Sequence, residues 1–204
     1  MPGALDYTYI NNGGEAQATT ADAITGRLYV GASGPTSGII AGTVTTSGFD
    51  VGGNFSAYIG SANDDVTSAT GVIGTIAGNL DMAGGTLVVG SVGNSTTVGQ
   101  ATATGTVNVD GFVAASQFSR IGYLFSGDGV ANGSVTASDG VNGTFGVGVA
   151  FNGAVTGQAN GSLTVTGGDL TFNSGKFTVG DNFGDATAIG NVDVQAGIIR
   201  TASG

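Results

Sequence analysis

The chain has 204 residues, 40% of them hydrophobic and only 9% charged, and its 14 acidic against 4 basic side chains give a net charge of −10. That balance opposes nucleic acid and anionic membranes, and the lack of Cys, His and Trp removes thiol chemistry, disulfides, imidazole catalysis and the usual transition-metal ligands. Gly accounts for 41 residues but Pro for only 2, with no Gly-X-Y period, so collagen is excluded, and the apolar content is too high for a disordered linker.

Residues 1–25 stand outside the rhythm that follows. Met1 to Asp6 has neither the basic region nor the apolar core of a secretory signal, which points to a mature form or to export without such a leader. Leu5 to Ile10 alternates like a strand and stops at the turn cluster Asn11-Asn12-Gly13-Gly14. Glu15 to Ile24 is the one stretch whose composition tolerates a helix. We read 1–25 as a strand plus an irregular or weakly helical piece, serving as a cap or as a donor segment. No run of 18 apolar residues exists, so no helical membrane insertion is expected.

From Gly26 onward a phrase recurs, two apolar residues bracketing a third and closing on a glycine: LYVG, AYIG, LVVG, then SRIG and VAFN in weakened form, then FTVG. The closing positions are 31, 60, 90, 122, 152 and 180. A second phrase (GTVTT, GTIAG, GTVNV, GSVTA, GSLTV, GNVDV) starts at 42, 74, 105, 133, 161 and 190. Two markers with one period of about thirty residues define an internal repeat. Each unit holds three strand slots, exemplified by Leu87-Val88-Val89, Val107-Asn108-Val109 and Phe112-Val113-Ala114. In the middle slot Val44, Ile76, Val107, Val135, Leu163 and Val192 form an apolar column beside polar neighbours, the period-two pattern of half-buried strands.

Such short strands cannot stand as isolated hairpins, but stacked coil on coil they enclose one apolar column. The expectation is therefore an all-β chain. Residues 26–204 form a parallel β-helix (β-solenoid) of about six coils of roughly 30 residues, with three short strands per coil and three long sheets. A Gly-rich antiparallel β-barrel or sandwich is the alternative, because evenly spaced strands with glycine turns would read similarly.

Acidic residues are the only candidates for chemistry. One set recurs ahead of the third slot (Asp50, Asp81, Asp110, Asp139, Asp169) and is read as turn chemistry, since Asp closes turns through its own backbone. A second set, Asp64, Asp65, Asp128, Asp181 and Asp185, falls in the longer loops and is the candidate for a hard, oxygen-seeking cation, Ca²⁺. No other cofactor is expected. Paired carboxylates could serve a glycosidase, but the accompanying His and basic side chains are missing and the Phe residues sit at core-like positions, so no enzyme is expected. Tyr29 and Tyr58 occupy equivalent outward slots, where a glycan contact is the minor reading. The Asn-x-Ser/Thr triplets arise by chance in so polar a chain, and the Thr residues do not make the regular array of an ice-binding face.

With LVVGSVGNST, SLTVTGGDLTF and FTVGDNFGDATAIGNVDV in view, most of 26–204 resembles the Gly-rich strand repeats of bacterial autotransporter passengers and PEP-CTERM-type exported surface proteins. That resemblance implies an extracellular or cell-surface β-solenoid adhesin, filament or matrix protein. The C-terminal coil ends in Ile198 and Ile199 with no polar cap in view, and unfinished strand edges invite pairing. The expected function is a structural subunit, a homopolymer of copies stacked head to tail. Leu5, Tyr7, Tyr9 and Ile10 at one end and Ile198 and Ile199 at the other are the expected contact residues, with strand donation by the N-terminal segment. The alternative is a monomeric adhesin segment recognising a glycan or a surface.

Overall fold

The computed structural model describes residues 7–10, 14–18, 26–32, 38–46, 55–62, 66–77, 79–82, 85–93, 101–125, 128–151, 156–172 and 177–201. These form two sheets in which every pairing is parallel. The chain is a β-solenoid, and among the described residues it has no helix. The seven-stranded sheet stacks Gly14–Ala18, Gly38–Thr46, Val66–Ala77, Thr102–Asp110, Val130–Ala137, Gln158–Val165 and Thr187–Val194. The ten-stranded sheet climbs beside it through Tyr7–Ile10, Gly26–Ala32, Phe55–Ala62, Leu87–Val92, Phe112–Leu124, Gly140–Ala150, Leu170–Phe172 and Ile199–Thr201, with Leu80–Met82 and Thr178–Val179 filling out the layers.

Three strand slots per coil exist, but they lie on two sheets instead of three. The third slot of one coil runs on into the first slot of the next, as in Phe112–Leu124, where a register shift between Ala115 and Phe118 absorbs the bend that a third corner would have supplied. The N-terminal segment joins the stack: Tyr7–Ile10 pairs with Gly26–Ala32, and Gly14–Ala18 pairs with Gly38–Thr46. The weak helix expected from Glu15 is a strand as far as Ala18. That adds one layer, and the seven-stranded sheet is one strand deeper than the six coils read from the repeat.

Two positions in the repeat shift register. Gly42 pairs with Gly71 and Gly71 with Gly105, so Gly71 takes the place expected for Gly74. An irregularity between Ile73 and Thr75 passes over Gly74, and Ile73 instead of Ile76 stands between Val44 and Val107. Both isoleucines are buried, so the slip loses no apolar contact. In the other phrase the fifth closing residue is Gly148, since Val147 pairs with Ile121 where the expected register would have required Phe151.

The glycines explain the shape of the cross-section. Gly14, Gly42, Gly71, Gly105, Gly133, Gly161 and Gly190 form one column down the seven-stranded sheet. Opposite them the ten-stranded sheet carries Gly60, Gly90, Gly122, Gly148 and Gly180, all left-handed with φ between 57° and 65°. At this seam the sheets meet backbone to backbone: a Cβ on Gly133 would overlap the Val89 carbonyl oxygen and the Gly122 nitrogen. Only glycine allows both the left-handed turn and that approach. The seam divides the interior in two. One side holds the large side chains, among them Ile59, Leu87, Ile121, Phe145 and Leu163. The other is narrow and mostly alanine, with Ala103, Ala131 and Ala159 in one file.

Candidate functional site

Each coil turns two corners, and the described members of the two acidic sets separate between them, save Asp81, which lies within the strand Leu80–Met82; Asp50 lies outside the described residues. Asp110, Asp139 and Asp169 lie where the seven-stranded sheet hands over to the ten-stranded one. Their partners come largely from the next coil. Ser138 Oγ donates to Asp110 Oδ1 at 3.1 Å, and Asp169 accepts the Ile198 N–H at 3.0 Å and pairs with Arg200. One coil earlier Asn79 does the same work, its Oδ1 accepting the Phe112 N–H at 2.9 Å. These side chains staple coil to coil, which relieves the repulsion that a bare column of carboxylates would carry.

The opposite corner, leading back to the seven-stranded sheet, contains Asp128, Asp181 and Asp185. Asp64 and Asp65 lie outside the described residues. Asp128 and Asp185 are exposed and Asp181 is half-buried. No three acidic groups converge as a cation site among the described residues. The last such corner is closed by an amide: Asn182 Nδ2 donates to the Ala186 carbonyl, and its Oδ1 accepts the Gly184 N–H at 3.0 Å.

Sequence reasoning missed what this corner displays. Phe125, Phe151 and Phe183 are exposed and form a file along the solenoid axis instead of entering the core, the first two stacked and the third tilted against Phe151. Ring centroids are 5.5 Å apart between Phe125 and Phe151 and 5.6 Å between Phe151 and Phe183. Each is fixed by its own N–H, donated to the coil before: Phe125 to Val92, Phe151 to Leu124, Phe183 to Ala150. Beside them Arg120 lies 5.0 Å over the ring of Tyr123. Burial pushes the Tyr123 phenol above its usual value, and the charge and hydrogen bond of Arg120 partly oppose that shift. The recurrence of Phe one residue past the inward Leu124 and Ala150 was the available signal.

Among the residues whose burial is described, the layer of Thr187–Val194 and Ile199–Thr201 is the least covered. Val192 and Val194 stand in register with Leu163 and Val165, which are fully buried, yet they are only partly covered. Ile199 stands in register with fully buried Leu170 and is 56% exposed. Ile198, Val179 and Phe183 add to this apolar end, and Ile189 flanks it. The seam glycine at this end also differs from those inside. A Cβ on Gly60, Gly90, Gly122 or Gly148 would overlap a carbonyl of the coil above, whereas on Gly180 its nearest neighbour would be the Gly190 nitrogen at 3.4 Å. At the other end Tyr7, Tyr9 and Ile10 lie on the edge strand of their own molecule, in register with Arg27, Tyr29 and Val30, and Leu5 lies outside the described residues.

Among the described residues no helix is long and apolar enough to cross a membrane. No protein-family model matches the chain, and neither a curated protein nor a solved structure is significantly similar to it.

Proposed function

We propose that the protein is a structural subunit of an extracellular bacterial filament or matrix, its copies stacking head to tail through the two ends of the solenoid. The observation that carries this reading is the open slot above Gly180. At Gly60, Gly90, Gly122 and Gly148 the equivalent slot is filled by a backbone carbonyl preceding a seam glycine: Thr104, Asn132, Asn160 and Ile189 respectively. The first seam glycine of the seven-stranded sheet is Gly14, and it sits on the opposite edge of the stack. A second copy placed on Thr187–Val194 with its own Gly14–Ala18 continues the same glycine column and the same parallel register. It also covers Val192, Val194 and Ile199, repeating the contact made between neighbouring coils. Such an interface joins unlike ends and does not close on itself, so it generates a fibre.

The N-terminal strand serves here as a receiving edge held in its own sheet, with no arm exchanged between molecules. The bacterial surface location rests on composition: few charges, no Cys, and abundant Gly and Thr.

Gly180→Ala tests the reading. In the single molecule a methyl group there makes only ordinary contact, 3.4 Å from the Gly190 nitrogen, and carries the strain of its positive φ; in the stack it also meets the backbone of the incoming copy. The native chain is expected to sediment as a concentration-dependent series and to show fibres by negative-stain microscopy, and Gly180→Ala to remain a folded monomer. A native chain that stays monomeric at every concentration, or a Gly180→Ala variant that polymerises like the native one, overturns the proposal.

A further inference from the structure

The glycine seam has a second consequence, on the outer face of the seven-stranded sheet. Where the column of Gly105, Gly133 and Gly161 draws the sheet inward, the outside is creased into a groove of about 220 Å³ running along the solenoid axis. Its rails are side chains flanking each glycine: Asn132 and Asn160 on one side, Ser134 and Ser162 on the other, with Thr104 and Thr106 at one end, while at the other end exposed Ile189 continues the asparagine side with an apolar contact. The polar rail side chains are half-buried and none is ionisable, in a molecule of net charge −10. The Asn160 Nδ2 donates to Asn132 Oδ1 at 2.9 Å, so the two amides are already ordered as a ladder along the groove.

We propose that this groove binds a neutral glycan chain lying across the strands. The chemistry on each surface selects that class. Rails of hydroxyls and amides, repeated once per coil at roughly 4.8 Å, both donate and accept, as a chain of sugar hydroxyls requires. The floor is glycine Cα, which offers C–H surface to the apolar face of a sugar ring with no side chain in the way. A peptide strand finds no unpaired backbone here, because the sheet's own N–H and C=O groups are engaged with the strands on either side. A polyanion is repelled by the acidic molecule. The proposal is independent of stacking: the groove lies on a sheet face inside one subunit and is complete without a second copy.

Affinity electrophoresis through gels containing hydroxyethylcellulose, galactomannan or, as the acidic control, polygalacturonate tests this. The native chain is expected to be retarded by at least one of the neutral polymers and not by the acidic one. Ser134→Trp, which lays an indole in the groove from an outward position, is expected to weaken that retardation by at least about tenfold. Asn160→Ala should weaken it to a lesser degree, and Phe151→Ser, at the aromatic corner, should leave it unchanged. Circular dichroism confirms that each variant is folded. Absence of retardation by both neutral polymers, retardation by polygalacturonate alone, retention of binding in folded Ser134→Trp, or its loss in Phe151→Ser would each overturn the assignment.

Discussion

Gly122→Ala and Gly180→Ala make the same chemical change at equivalent backbone positions, with φ of 65° and 63°, and should differ sharply in cost. Placing an L-residue in the left-handed region costs about 1–2 kcal/mol wherever it occurs. At Gly180 that is the whole penalty, because the nearest atoms to the new methyl would be the Gly190 nitrogen at 3.4 Å and the Ala188 oxygen at 3.7 Å. At Gly122 the methyl would overlap the Asn160 carbonyl and stand 2.6 Å from the Gly161 nitrogen, inside the 3.0 Å that real Cβ atoms do not cross. The obstruction is backbone held by parallel pairing on both sides, so relief requires the two sheets to part along the seam. Overpacking of that kind adds typically about 1–3 kcal/mol, or more where nothing yields. Gly122→Ala should therefore lose about 2–5 kcal/mol against about 1–2 for Gly180→Ala, out of a total stability on the order of 5–15 kcal/mol. Urea unfolding followed by circular dichroism, at a concentration where both chains are monomeric, reads the difference directly. Equal losses for the two variants would refute the backbone-contact seam.

Phe145→Ala removes the largest fully buried side chain among the described residues and should cost about 3–5 kcal/mol, while Phe125→Ser at the exposed corner should cost under about 1 kcal/mol; a reversed order in urea midpoints would contradict the burial pattern. Because burial holds the Tyr123 phenol protonated above its usual value of 10.0, the folded state keeps that proton after the unfolded chain has released it. The associated stability is intact below about pH 10 and declines as pH rises through the folded value. Tyr123→Phe should flatten the alkaline arm of the stability curve, and identical arms would exclude the effect. Ca²⁺ held at the corner of Asp128, Asp181 and Asp185 should raise the melting temperature of the native protein, reversibly with chelator and not in an Asp128→Asn/Asp181→Asn/Asp185→Asn variant; equal melting temperatures with Ca²⁺ and with chelator would remove the cation from that corner.

The period of the repeat was legible because two features recur once per coil and each has its own cause: the apolar column filling the interior and the glycine pair that lets the sheets touch. Val107, Val135, Leu163 and Val192 align as the spacing predicts. What spacing could not deliver was local register. Gly71 and Gly74 are three residues apart within one apolar strand, and only the pairing with Gly42 and Gly105 shows which of them faces the seam. The number of sheets was hidden too: Ser119, the polar start of the weakened phrase SRIG, is buried inside the continuous strand Phe112–Leu124, its Oγ accepting the Leu87 N–H at 3.0 Å. The corner aromatics were misread because a Phe after an inward Leu or Ala looks like core until the chain is seen to turn at that residue.

The division of the interior by the seam also explains where the repeat tolerates variation. A coil held only by one broad apolar column could slide along its neighbour, since one Val–Val contact resembles the next. The glycine pair removes that freedom: a shift of one residue brings a Cβ against backbone from the opposite sheet, and a shift of two breaks the alignment of left-handed turns. Register is therefore fixed at the centre of each coil. The corners need only return the chain to the next seam position. They differ accordingly, from the single residue Gly111 between Asp110 and Phe112 to the nine residues between Val92 and Thr102. The same constraint bears on assembly. An incoming copy that met the end of the stack one residue out of place would set a side chain against the seam, so the feature that aligns the coils within one molecule is the one that would align molecule with molecule.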